Sequence, residues 1–200
     1  MRPMRPVQDL SGLPSYGFGT KSPVWWGTLA FVAIEDGGFI VAIASYLYIA
    51  FVNRVWPLRA PPPDLGPCTA VLVLLLISLW PNWWLDRAAR EENLRKVRIG
   101  MVVMTLLATA PLIVRIWEFP ALNVLWDTNA YGSINWLLLG LHTIHLLTDW
   151  GDTLVLAVLM FTRHGHGKRF SDVSDNCFYW YFVIASWVVL YLFIYFVPRL

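Results

Sequence analysis

Four ionisable residues recur at helical intervals within one apolar stretch: His142, His145, Asp149 and Asp152, spaced three, four and three positions apart. On an α-helix such intervals put all four on one stripe. Two imidazoles and two carboxylates so arranged are suited to binding metal, to handling protons, or to joining neighbouring helices by hydrogen bonds. A di-iron site in a helical bundle also needs carboxylates from other helices and a Glu-x-x-His pattern. Glu35, Asp36 and Glu118 are available, but none carries that pattern. Haem held by two histidines normally draws them from facing helices, whereas the other two, His164 and His166, fall in a basic loop. No metal-ligand set is therefore assigned. The stripe reads as a hydrogen-bonded feature turned toward neighbouring helices, a partner subunit or a hydrated cleft, because contact with lipid would be costly.

Glu35 and Asp36 form a second group, in the middle of the first apolar run. Two adjacent ionised carboxylates in low dielectric repel each other, so at least one is expected to be protonated or strongly hydrogen-bonded. Glu35 fits a packing carboxyl bonded to another helix, and equally a proton-active or lipid-headgroup site. Gly38, Ala42 and Ser45 offer small residues for close helix approach. Arg115 and Glu118, three apart at the end of the third run, read as a local ion pair at the membrane surface; Arg115 would also suit a phospholipid phosphate. No Ser/His/Asp order, glycine-rich phosphate loop or nucleotide motif is present, so no catalytic residue is assigned.

The elements that must position these groups are membrane helices. Hydrophobic residues make up 58% of the chain and charged residues 14%, against about 25% charged in soluble domains. The apolar residues lie in runs long enough to cross a bilayer, which takes about 20 residues. The spans are expected at about 24–52, 68–85, 99–117, 133–161 and 177–197, preceded by a surface tail over 1–23. The runs are too long, and lack the alternation, for barrel strands, and hydrocarbon admits only helices or closed barrels. The expected fold is all-α, an integral membrane bundle of five transmembrane helices. Pro81 with Asn82 suggests a bend or early end to the second span, and Pro111 a kink in the third. Asp86 to Arg98 reads as a charged loop, and Thr162 to Ser174 as a basic one. Tryptophans cluster at the ends of runs, among them Trp25, Trp26, Trp56, Trp83, Trp84, Trp117 and Trp126, where amphipathic rings suit the interface.

The formal net charge of +2 gives no case for nucleic acid, and Cys68 and Cys177 form neither a CxxC nor a zinc spacing. Eleven of the fifteen Lys and Arg fall on the side holding the tail and the second and fourth loops. That bias puts the N-terminus in the cytoplasm and the C-terminus opposite. The tail has basic residues but no apolar stretch before Val24, so it does not read as a cleavable signal peptide.

In order along the chain, several groups of residues resemble one family. Trp25-Trp26-Gly27, Glu35, Phe39 and Ala44-Ser45-Tyr46 are followed by Trp56-Pro57 and Glu118-Phe119. Gly140-Leu141-His142-Thr143-Ile144-His145 carries a Gly-x-His-x-x-His pattern, and Tyr179-Trp180-Tyr181-Phe182 precedes Trp187 and Tyr191. The set resembles subunit III of haem–copper oxidases, in the five-helix form that lacks the first two helices of the seven-helix form. The resemblance covers about residues 25–199. It departs in the last helix, where the family's Trp-His-Phe-x-Asp has Tyr181 and Ile184 at the His and Asp positions; Asp36, Asp149 and Asp152 are not family landmarks.

The resemblance implies a non-catalytic subunit of a respiratory terminal oxidase in a bacterial-type inner membrane, beside catalytic subunit I and other oxidase subunits. It implies no metal in this chain, with haem and copper in the partner subunits. It implies bound phospholipid in a cleft between the first two and last three helices, and support of proton uptake and enzyme durability. Glu35, His142 and His145 carry over as landmarks with structural, lipid or proton-related roles. An accessory subunit of nitric oxide reductase, or a stand-alone membrane enzyme or carrier using the His/Asp stripe, is the alternative.

Overall fold

In a computed structural model, residues 16–163 and 165–200 are described. Residues 1–15 of the tail expected over 1–23, and His164, lie outside the described residues; the rest of that stretch holds a 3₁₀ turn, Gly19–Lys21, and the start of α1 at Pro23. Among the described residues five helices are long and apolar enough to cross a membrane: α1 (Pro23–Val52), α2 (Leu65–Arg90), α3 (Leu94–Glu118), α4 (Ala130–Phe161) and α5 (Lys168–Tyr191). The chain is a multi-pass, all-helical membrane protein. α5 continues through a π-helical turn, Leu192–Phe196, and a short 3₁₀ turn, Val197–Arg199.

Local chemistry sets the helix starts. Ser22 accepts a hydrogen bond from the Val24 amide at 3.2 Å, with Pro23 at the first helical position, where proline needs no amide donor. Asn93 caps α3 through the Lys96 amide at 3.1 Å, and Asn129 caps α4 through the Gly132 amide at 2.8 Å. α2 and α3 are joined by residues 91–93 alone and make the most extensive helix pair, followed by α2 with α5 and α3 with α4. Gly100 permits that approach: a methyl there would lie 2.8 Å from Leu85 Cδ1. α4 packs on α5, and α1 is held mainly by α4 and α5. The core runs through Leu75, Leu85, Met101, Leu138, Leu139, Trp180 and Trp187, all essentially inaccessible.

Three expectations need correction. α2 does not end near Pro81 or at residue 85; it runs to Arg90, and Pro81 is buried inside it. The segments read as charged loops are largely helical, since α3 begins at Leu94 and α5 at Lys168. Beyond the hydrocarbon a helix has no need of apolar side chains. Here the polar turns are supported by the Arg90–Asp86 pair at 2.9 Å, Arg87–Glu91 at 3.2 Å and Arg169–Asp172 at 2.7 Å. The implied division between the first two helices and the last three is also absent. α2 belongs with α3 and α5, and the polar cleft lies between α1 and the α4–α5 pair.

Candidate functional site

The four-residue stripe resolves into two rows. At 3.6 residues per turn, Asp149 lies within about 20° of His142 around the helix axis, and Asp152 within about 20° of His145. The His142/Asp149 row is buried, whereas the second row turns toward α1: His145 is buried beneath α1 and Asp152 is exposed at the cleft.

His145 meets α1 and α5 through Glu35. Its Nε2 lies 3.2 Å from Glu35 Oε1, and the Tyr179 hydroxyl donates to Glu35 Oε2 at 2.7 Å. His145 Nδ1 faces the Leu141 carbonyl at 2.6 Å. A carbonyl only accepts, so Nδ1 carries hydrogen in this arrangement. One further proton then serves the Nε2–Oε1 contact, either on the imidazole or on the carboxyl. Both forms leave the pair with zero net charge, the condition a low-dielectric site favours. Phe39 packs its ring 4.9 Å from that of His145, centroid to centroid.

His142 belongs to a separate network at α3. Arg115 donates to Glu118 Oε2 at 2.7 Å and to His142 Nδ1 at 2.8 Å. The imidazole Nε2 then donates to the Val183 carbonyl at 3.0 Å, which makes His142 the neutral Nε2–H tautomer. Tyr195 donates to Glu118 Oε1 at 2.6 Å, and the guanidinium lies 4.1 Å over the Trp187 ring. The ion pair forms as its spacing predicts, at the end of α3, and is enclosed between helices: the Arg115 and Glu118 side chains are 2% and 0% exposed. The Arg115 donors that would meet a lipid phosphate face inward instead.

A third set joins α4 to the first turns of α5. Asn176 donates to Asp149 Oδ1 at 3.1 Å, and the Thr153 hydroxyl donates to Asn176 Oδ1 at 3.1 Å. Asp149 Oδ2 and both carboxylate oxygens of Asp175 are buried and find no hydrogen-bond partner among the described residues. Asp149, Asp152, Asp172, Asp175, His145 and Glu35 all line one cleft of about 870 Å³, whose apolar walls include Val24, Phe31, Ile144, Val155 and Leu159. Among the described residues no three His, Cys, Asp or Glu side chains are grouped to hold a metal ion.

A family model described as Cytochrome c oxidase subunit III matches residues 67–198. The chain belongs to the cytochrome c oxidase subunit III family. Relatives called cytochrome c oxidase subunit 3 include that of Synechocystis sp., 26% identical over 174 residues, covering 85% of this chain and 74% of the relative. The Artemia franciscana protein is 24% identical over 187 residues, covering 90% of this chain and 69% of the relative. The Drosophila melanogaster protein is 25% identical over 181 residues, covering 85% and 68%. In this subunit III chain, Tyr181 is half-buried and Ile184 is buried in α5.

The pairing of Glu35 with His145 links two helices 110 positions apart and has no local sequence signal. Tyr179 stands out in the sequence only as part of the Tyr179-Trp180-Tyr181-Phe182 group, and Tyr195 carries no signal there. Asp175 and Asn176 fall in the gap between the segment read as a basic loop, Thr162 to Ser174, and the fifth span expected from 177.

Proposed function

We propose that this chain is the non-catalytic subunit III of a respiratory haem–copper terminal oxidase, which passes electrons from a donor to oxygen and translocates protons. It stabilises catalytic subunit I, holds phospholipid and supports proton uptake. Haem and copper reside in the partner subunits. The observation that carries this reading is the Glu35–His145–Tyr179 constellation, which ties α1 to α4 and α5 at the wall of the cleft.

The cleft suits an acyl chain along Val24, Phe31, Ile144 and Val155. Arg169 lines it, paired through Nη1 with Asp172, and its remaining guanidinium donors suit a phosphate headgroup. For protons, the cleft offers Asp172 and Asp175 in the first two turns of α5, then Asp152 and Asp149 on α4, then Glu35. The Glu35–His145 contact holds one exchangeable proton without net charge. Arg115, Glu118 and His142 serve as the buried fastening of α3, α4 and α5. The N-terminus faces the cytoplasm of a bacterial-type inner membrane, so the mouth of the cleft near Arg169 opens on the proton-uptake side.

The test is purification of the tagged chain from its native membrane in mild detergent. A haem-bearing oxidase and phospholipid should come with it, and Glu35→Gln should keep haem content and initial turnover while activity decays faster under sustained turnover. Recovery of a nitric oxide reductase, or of the chain alone with activity of its own, would overturn the proposal. Reporter fusions after Arg98 and after Arg199 should report opposite sides of the membrane.

A further inference from the structure

Asp36 is used by none of these networks. It lies about 20 Å along the axis from Pro23 and about 24 Å from Val52, at 1.5 Å per residue, near the middle of a thirty-residue helix. It is exposed, and no hydrogen bond or ion pair reaches it from the described residues. Aspartate at the centre of a membrane helix is costly to leave facing lipid. Its side chain is too short to reach the headgroups, which begin about 15 Å from the midplane.

The face around it is built for close contact. Ala33, Asp36, Gly37, Ile40 and Ala44 fall at positions i, i+3, i+4, i+7 and i+11, one continuous stripe. Ala33, Ile40 and Ala44 are exposed, and a methyl added at Gly37 would meet nothing within 4 Å. Among the described residues no helix therefore sits against Gly37, while Asp36 and Ile40 also edge a shallow groove whose other wall is Ala185 and Val189 of α5. Ala33 and Gly37 form a small-xxx-small pair, the pattern that lets membrane helices approach closely. A second copy of this chain is a poor occupant. Two-fold pairing would set Asp36 against Asp36, and Arg115, in the last turn of α3, is enclosed and already paired.

We infer that the Ala33–Asp36–Gly37–Ile40–Ala44 face of α1 docks a transmembrane helix of a different polypeptide, which presents a basic side chain to Asp36 at the bilayer midplane. The small residues bring the backbones together and the carboxylate fixes the register. Asp36 has a structural role distinct from that of Glu35, which faces inward. The inference does not depend on the partner being an oxidase.

The test places a benzoylphenylalanine photo-crosslinker at Ile40 in the full complex in native membranes, with Leu106 on the exposed side of α3 as control. Irradiation should give one protein adduct at Ile40. Mass spectrometry should map it to a membrane helix other than this chain's, with Lys, Arg or His within one turn of the linked residue. Asp36→Leu should lower adduct yield about tenfold, and Asp36→Asn less, as expected for loss of a charge-assisted hydrogen bond. Asp36→Lys combined with an acid at the partner's basic position should restore the yield. Lipid adducts alone, an adduct to a second copy, a partner peptide without a basic residue, or unchanged yield in Asp36→Leu would each overturn the inference. A non-oxidase partner meeting the criteria would leave it standing while removing the function proposed above.

Discussion

Replacing Glu118 with Leu removes the anion from a guanidinium that is 2% exposed. Arg115 would keep His142 Nδ1 at 2.8 Å and the Trp187 face at 4.1 Å, neither of which carries a full negative charge. Removing one partner of a buried ion pair costs about 3–5 kcal/mol. The Tyr195 hydroxyl also loses its acceptor, for about 1–3 kcal/mol more. At about 2–4 °C per kcal/mol for a chain of this size, the melting temperature should fall by about 10–30 °C. Adding Arg115→Leu removes the stranded cation. The orphans that remain, Tyr195 OH and His142 Nδ1, are neutral and cost about 1–3 kcal/mol each. The double variant should therefore melt above Glu118→Leu, by about 4–8 °C for a recovery of about 2 kcal/mol. Thermal unfolding of the purified protein in detergent, followed by tryptophan fluorescence, measures both. Additive losses in the two single variants, or a drop of only a few degrees for Glu118→Leu, would refute the account of a buried, mutually dependent pair.

Tyr179→Phe removes a donor to Glu35 while leaving the ring packed on Phe31; stability should fall by about 1–3 kcal/mol, and Glu35→Gln combined with it should cost less than the two separate losses together, read from the same melts. Gly132→Ala puts a methyl 2.1 Å from the Leu125 carbonyl oxygen; the α4 start must shift, and folded yield by size-exclusion chromatography should drop sharply, whereas Gly140→Ala, which meets nothing within 4 Å, should not. Glu91 hydrogen-bonds Lys96 and Arg87, which hold its carboxyl below the ordinary carboxylate range. Its contribution is present above that range and is lost as pH falls through the lowered value. A Glu91→Gln melt should therefore lie slightly below the parent near neutrality and converge with it in acid.

The five spans were legible because hydrocarbon demands long apolar runs. Their ends were not, because charged turns such as residues 86–90 and 168–174 remain helical once outside the bilayer and paired along the helix. The stripe on α4 was readable as a stripe, but its division was not. Asp149 is enclosed by Asn176 of α5, while Asp152 looks into a cleft whose other wall is α1. Arg115 and Glu118 were visible as neighbours on one helix. Their burial depends on Tyr195 and Trp187, contributed by the end of α5 some 70–80 positions later. Spacing along one helix reports which side chains share a face; it carries no information about which other helix covers that face.

The attachment of α1 has a consequence for how the protein is made. Its contacts lie with α4 and α5, and the Tyr179–Glu35 bond closes over 144 positions. α1 precedes both helices in the chain, so it enters the bilayer well before either exists. During that interval Glu35 has no His145 and no Tyr179, and two adjacent carboxylic acids sit in α1 without the helices that later cover one of them. The α2–α3 hairpin, joined by residues 91–93, can form in the meantime without α1. Biogenesis thus contains a waiting period in which α1 lacks the partners that later satisfy Glu35, and insertion factors that shield polar groups would act on α1 during that period.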